Sequence, residues 1–275
     1  MSAIQEIEAR QRFSFGENWT RFLRELDDRR INAAVDSLRE MLKLDSLAGL
    51  RFLDIGSGSG LFSLAARRLG AQVTSFDFDP KSVACAQELR QRYFPRDPQW
   101  HIEQGSALDG NFMQSFGEFD VVYSWGVLHH TGSMWLGFEN ALARVAKHGR
   151  LFIAIYNDQG AQSRLWWLVK TFYNRLPRWS QSAFVKLVMG TIRALMSLRR
   201  LFSGSSGAHS VIPERGMSDK YDDIDWVGGF PFEFATFELL EAYFRARGFT
   251  LLNFKRTTSW GCNELVFRRG TTADV

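Results

Sequence analysis

The amino-acid sequence predicts an α/β fold: a parallel sheet wound by helices on both faces and closed by an antiparallel hairpin. Three observations carry this prediction. Apolar, strand-like runs alternate with helical stretches between residues 51 and 156. The first run leads straight into a glycine loop, Asp54-Ile-Gly56-Ser-Gly58-Ser-Gly60. The last two runs, 249–255 and 262–268, are joined by only six residues. A parallel crossover needs about a dozen, so these two must pair antiparallel.

In chain order, residues 13–47 read as helical, with Ile31, Val35, Leu38, Met41 and Leu42 on one face. Residues 51–55 form the first strand, and 61–69 a helix stopped by Gly70. Residues 72–77 are the second strand, and Pro80 opens a helix to about residue 93, since proline suits the first helical turn. Strands follow at 100–104 and 119–124, then a helix over 135–146 and a fifth strand over 150–156. A last helix over 236–247 precedes the hairpin. The expected organisation is a helical cap over 1–48, a core formed by 49–156 and 236–270, and a helical insertion over 157–235.

The chain has 275 residues, 45% hydrophobic and 23% charged, which excludes a disordered chain, a collagen-like repeat and a disulfide-stapled miniprotein. Cys85 and Cys262 are too few for a disulfide framework or a cysteine-rich metal site. The first residues are polar and acidic, unlike a signal peptide, and no run of about eighteen apolar residues occurs, so the expected address is cytoplasmic. Charge is unevenly placed. Residues 159–213 hold eight basic residues and no acidic one, whereas the rest carries 26 basic against 30 acidic. That distribution argues against a generally basic nucleic-acid binder.

Glycines let a loop turn sharply and let a ligand approach without a Cβ in the way. The spacing here is D-x-G-x-G-x-G, not the dinucleotide pattern G-x-G-x-x-G, because Leu61 stands at the last position. An acid inside the motif repels pyrophosphate and suits a cationic ligand. Asp77 ends the second strand 17 residues past Gly60, where a carboxylate accepts hydrogen bonds from both ribose hydroxyls.

At these residues the chain resembles the class I S-adenosylmethionine-dependent methyltransferases, in particular the ubiquinone-pathway and natural-product branch that acts on small molecules. Their glycine motif corresponds to Asp54–Gly60, their ribose-binding acid to Asp77, and their adenine-contacting turn to Gln104-Gly-Ser106-Ala107. The resemblance implies a Rossmann-like, doubly wound, seven-stranded sheet with an antiparallel last strand. It implies S-adenosyl-L-methionine as cofactor and S-adenosyl-L-homocysteine as product. The implied cofactor contacts are Asp54, Gly56, Ser57, Gly58, Gly60, Asp77, Phe78, Ser106, Ala107, Ser124 and Trp125.

Strand four leads into Tyr123-Ser-Trp-Gly-Val-Leu-His129-His130-Thr-Gly132, which resembles the fourth-strand motif of that branch, where a histidine stands beside the transferring methyl group. Methyl transfer is a direct displacement at a cationic sulfur, and a hydroxyl acceptor must also lose its proton, a task for which histidine is poised. His129 and His130 are therefore the catalytic candidates, and which of them is the base stays open. Asp158, past the end of strand five, is the third candidate, able to orient a histidine or the acceptor. No third ligand is spaced to complete a metal site with the histidines. Neither an Asn-Pro-Pro-Tyr-type motif nor a Pro-Cys nucleophile occurs, which disfavours methylation of nucleic-acid bases.

The insertion is far longer than the usual two-to-six-residue connection. On a helical wheel, Phe184, Leu187, Val188, Leu195, Leu198, Leu201 and Phe202 fall opposite Lys186, Arg193, Arg199 and Arg200. One reading makes this a lid whose apolar face covers the acceptor. The other is peripheral membrane contact through 164–202. Three functions are thus expected: transfer to an oxygen or nitrogen of a small aromatic or lipophilic acceptor, a membrane-surface variant acting on a lipid- or quinone-like acceptor, or a non-catalytic module that binds the cofactor.

Overall fold

The computed structural model describes residues 13, 15–203, 223, 226–258 and 261–270. Helices α1 (Gly16–Glu25) and α2 (Asp28–Leu42) precede β1 (Arg51–Ile55), α3 (Leu61–Arg68), β2 (Gln72–Asp77), α4 (Pro80–Tyr93) and β3 (Trp100–Gln104). Then come α5 (Gly110–Ser115), β4 (Phe119–Trp125), a single 3-10 turn (Leu128–His130), α6 (Met134–Leu142) and β5 (Val145–Tyr156). The insertion contributes α7 (Ala161–Arg175) and α8 (Arg178–Ser203), and α9 (Phe237–Arg245), β6 (Phe249–Lys255) and β7 (Cys262–Arg269) close the chain.

The seven strands are ordered β3-β2-β1-β4-β5-β7-β6. Strands β1 to β5 run parallel, and β7 is antiparallel to both β5 and β6. Neighbouring residues on a strand point to opposite faces. Phe52, Val121 and Phe152 therefore enter the core under α2, α3 and α4, whereas Leu53, Val122, Leu151 and Ile153 enter the core under α6 and α9. Both faces are covered, which is why these strands read as unbroken apolar runs rather than alternating ones.

The structure departs from the sequence reading at several boundaries. The helical stretch over 13–47 is two helices, because Asp27 takes an extended conformation and its carboxylate accepts the Arg30 N–H at 2.8 Å, a better N-cap than helix interior. Strand β5 begins at Val145, paired with Phe119, so α6 stops at Leu142. Helix α5 is unforeseen; it is started by Asp109, which accepts the Asn111 and Phe112 N–H groups at 3.0 and 3.1 Å.

Helix α8 keeps only part of its expected face. Phe184 and Val188 pack as expected, but beside Val185, Met189 and Ile192, against the cluster of Trp166, Tyr173 and Val227, leaving Leu187 and Leu195 exposed. The side chains of Leu198, Arg199, Arg200, Leu201 and Phe202 lie outside the described residues. Lys170 departs from the solvated basic tract in which the sequence places it: on α7 it is buried, its ammonium donating to the Trp226 carbonyl and standing 4.8 Å over the Phe232 ring.

Candidate functional site

All the loops of interest leave the carboxyl ends of β1, β2, β3, β4 and β5, the edge at which open α/β sheets bind ligands. The glycine loop is held there by backbone bonds. Gly56 and Ser57 both donate to the Phe76 carbonyl at 2.9 and 3.0 Å, and Gly60 donates to the Ser57 carbonyl at 2.8 Å. Gly56, Gly58 and Gly60 have φ of +74°, +55° and +81°, values that side chains rarely adopt.

At Gly56 space is as restrictive as conformation, because an added Cβ would lie 2.4 Å from Val127 Cγ1. Gly56→Ala is expected to lose about 2–4 kcal/mol of stability, combining left-handed strain with overpacking. Denaturant unfolding measures it, and adding Val127→Ala should recover the packing part only. A loss below about 1 kcal/mol in the single variant would refute this account.

Two adjoining cavities open at this edge. The first, about 830 Å³ with its mouth, is lined by Asp77, Phe78, Ser106, Ala107, Phe15, Trp19 and Trp125, among others. The second, about 1110 Å³ with its mouth, is lined by Asp54, Ser57, Phe62, Tyr123, His129 and Tyr156, among others. Gly56, Gly58, Trp125 and His130 belong to both walls, so they mark the junction.

Asp77 Oδ2 accepts the Gly58 N–H and Oδ1 the Asp79 N–H, each at 2.9 Å. A carboxylate oxygen has two acceptor sites, so each keeps one for a ligand. Burial pushes the Asp77 carboxyl up to about 6 despite these bonds. Asp54 accepts the Ser63 hydroxyl at 2.6 Å; burial first, and the nearby Asp77 charge after it, push its carboxyl up to about 7. No basic side chain pairs with either acid among the described residues.

The histidine pair sits on the 3-10 turn after β4, with ring centroids 4.5 Å apart. His130 Nδ1 lies 2.6 Å from the Pro231 carbonyl, which can only accept, so the proton is on Nδ1 and Nε2 is bare. Burial, then the Lys170 charge, lowers the His130 imidazole to about 3, with the Pro231 carbonyl opposing, so it stays neutral at physiological pH. His129 is fully buried; its Nδ1 receives the Tyr156 N–H at 3.4 Å, and its Nε2 has no hydrogen-bond partner. Burial first, then His130 and Lys170, lowers its pKa well below the ordinary value. Of the two, only His130 lines both cavities.

Three expected contacts lie elsewhere. Asp158 accepts the Gly160 N–H at 2.7 Å, a local turn before α7, and lines neither large cavity. Ser124 is fully buried and donates to the Ile55 carbonyl at 3.3 Å, tying β4 to β1 rather than facing a ligand. Gly60 packs on α4, where an added Cβ would meet Ala86 Cα at 2.9 Å, so its service is to helix packing.

The remaining contacts, Asp54, Gly56, Ser57, Gly58, Asp77, Phe78, Ser106, Ala107 and Trp125, line one cavity or both. Phe15 and Trp19 of the amino-terminal segment and Val127 were not singled out as contacts. The aromatic spacing Phe13-Ser-Phe-Gly-Glu-Asn-Trp19 ahead of the first strand was the available signal.

The described part of α8 does not cover the cleft as a lid. Among the described residues of 159–203, none lines either large cavity. Helix α7 instead brings Trp166 and Lys170 to a third, smaller cavity, which shares Tyr156, Trp226 and Gly261 with the second.

Comparison with known families matches residues 20–190 to the methyltransferase domain. Among curated proteins, the ribosomal protein L11 methyltransferase of Bacillus cytotoxicus is 36% identical over 102 residues, 37% of this chain and 30% of that protein. An uncharacterised protein of Synechococcus is 35% identical over 112 residues, 40% of this chain and 26% of that protein. The matched segment thus spans less than a third of each of these relatives.

Among solved structures, the magnesium protoporphyrin IX methyltransferase of Synechocystis PCC 6803, with bound S-adenosylhomocysteine, superposes with a TM-score of 0.52 at 16% identity, covering 87% of this chain and 82% of that one. The cyclase SpnF superposes with a TM-score of 0.53 at 14% identity, covering 86% and 80%. At such identities the likeness is one of fold, and the second neighbour illustrates that one fold hosts different chemistries.

Proposed function

Because this chain belongs to the methyltransferase-domain family, we propose that it moves a methyl group from S-adenosylmethionine to a hydroxyl oxygen of a small aromatic or lipophilic acceptor. The observation that carries this reading is the hydrogen bond from His130 Nδ1 to the Pro231 carbonyl, which leaves Nε2 bare on a residue that lines both cavities.

The residues present fit the cofactor. Asp77 keeps an acceptor site on each oxygen for a ribose diol, Phe78 and Ala107 offer apolar contact for a base, and Gly56 and Gly58 present backbone without a side chain. Two buried carboxylates without a basic partner among the described residues supply the negative potential that a sulfonium and an ammonium group require. Bound there, the cofactor supplies a methyl group on a cationic sulfur.

The chain's own part is positioning. Aromatic walls from Phe15, Trp125, Tyr123 and Tyr156 hold a flat or lipophilic acceptor and exclude water, and alignment of this kind contributes about 7–11 kcal/mol in favourable cases. His130 Nε2 accepts the hydrogen bond of the acceptor hydroxyl and thereby turns an oxygen lone pair toward the junction. A weakly basic imidazole suffices, because the hydroxyl proton becomes strongly acidic as the oxygen gains its methyl group. An amine acceptor needs no such help, since its ammonium product sheds the proton to water.

Calorimetry with S-adenosylmethionine and S-adenosylhomocysteine, followed by transfer of an isotopically labelled methyl group to an acceptor panel, tests the proposal. Asp77 must be ionised to accept two hydroxyls, and its carboxyl in the empty protein sits at about 6. Affinity should therefore fall as the pH drops through about 7 and then about 6, where Asp54 and Asp77 in turn take up protons, and Asp77→Asn should remove the lower step only. Failure to bind either ligand sinks the reading. Binding without transfer to any acceptor makes the protein a cofactor-binding module instead.

A further inference from the structure

Helices α7 and α8 leave an unusual amount of apolar surface uncovered. Leu165, Leu168 and Phe172 on α7 are 61%, 57% and 53% exposed, and Trp179, Leu187 and Leu195 on α8 are 85%, 67% and 58% exposed. A soluble surface tolerates single exposed leucines, but a set this dense on one helix pair marks an interaction site. The pair is one packed unit, since Phe172 meets Phe184 at 5.3 Å between ring centroids and Val185 is buried beside Tyr173.

The charge around this patch is predominantly basic, with Asp223 paired to Arg193 on α8. No acidic residue occurs between 159 and 213. Arg164, Arg175 and Lys186 are exposed and have no acidic partner among the described residues. At about 100° per residue, Leu165, Leu168 and Phe172 fall within an arc of about 60° on α7, and Arg164 and Arg175 lie roughly 20–40° beyond its edge. On α8, Lys186, Trp179 and Leu187 share the sector that faces away from the packed residues. Apolar side chains flanked by cations whose long stems can reach up to headgroups are the arrangement of a helix lying in a membrane interface. None of the described helices is long and apolar enough to cross a bilayer.

We propose that the outer surface of α7 and α8 rests on an anionic lipid bilayer, its leucines and aromatic rings at the level of the headgroups and its arginines and lysine paired with lipid phosphates. Charge complementarity selects this occupant: a second copy of the same face would set cation against cation. The inner side of α7 gives the contact a purpose. Trp166 and Lys170 line the third cavity, which adjoins the second through Tyr156 and Trp226, so a lipophilic acceptor leaving the bilayer has the aromatic pocket on the other side of one helix.

The test is co-sedimentation of the full chain with vesicles of phosphatidylcholine alone and of phosphatidylcholine mixed with phosphatidylglycerol. Binding to the mixed vesicles, at least tenfold tighter than to the neutral ones and weakened by salt, is expected. The combined variant R164E/R175E/K186E should lose that preference, and W179S/L187S should bind at least tenfold more weakly, while both keep wild-type affinity for S-adenosylhomocysteine. Equal binding to both vesicle types, no binding to either, or a charge-reversed variant that binds like the wild type would overturn the proposal. So would a dimer in analytical ultracentrifugation that Trp179→Ser dissolves. Since cofactor affinity is read separately, failure here leaves the methyl-transfer reading standing.

Discussion

Asp77→Ala should weaken S-adenosylmethionine binding by roughly 10²–10⁴-fold. Hydrogen bonds to a charged group contribute about 1.5–3 kcal/mol each, and two ribose hydroxyls lose their acceptor together. The same substitution releases the Gly58 and Asp79 N–H groups that the carboxylate now holds at 2.9 Å, loosening the glycine loop as well. Calorimetry measures the loss, and Asp77→Asn separates its parts, since the amide keeps the shape and one acceptor oxygen but not the charge. An affinity within threefold of wild type for the alanine variant would mean that the ribose is read elsewhere.

The second large effect belongs to His130. His130→Ala should lower kcat for a hydroxyl acceptor by about 10²–10⁴-fold, the range of general-base contributions, with cofactor affinity unchanged. Amine acceptors should lose far less, because their ammonium product sheds its proton to water after transfer. His129→Ala should act differently. Its side chain is wholly buried between His130 and Tyr156, with ring centroids at 4.5 and 4.1 Å, so its removal leaves a cavity and lowers thermal stability at least as clearly as rate. Equal kcat losses for hydroxyl and amine acceptors in His130→Ala would refute the proton-transfer role.

Strand direction and the ligand edge were legible because each rested on a local rule. A six-residue link cannot carry a parallel crossover, and a D-x-G-x-G-x-G run after a strand marks the loop at the ligand edge. What escaped depended on tertiary partners. Adjacent residues could not show which histidine leaves Nε2 bare beside both cavities, because the tautomer of His130 is set by Pro231, 101 positions away. Ser124 looked like a contact from its place at the end of β4, yet strand alternation turns its hydroxyl onto the Ile55 carbonyl. Asp158 was drawn by the ordinary preference of aspartate for a turn, not by a reacting centre. On α8 an apolar arc wider than half the helix offered two ways to pack, and Tyr173, Trp166 and Val227 decided between them.

One feature of the amino-terminal helix bears on how fast the protein can cycle. Phe15 and Trp19 wall both cavities, the Gly16 N–H donates to Asp79 Oδ2 at 2.9 Å, and Trp19 lies so close to Gly58 that a Cβ there would be 2.8 Å from its ring. On the proposed function the spent nucleoside product occupies the first cavity, so this segment stands beside its way out. Release is then expected to be coupled to the opening of the latch between Gly16 and Asp79, and where that opening is slower than the bond-making step it sets the ceiling on turnover, as in enzymes limited by product release.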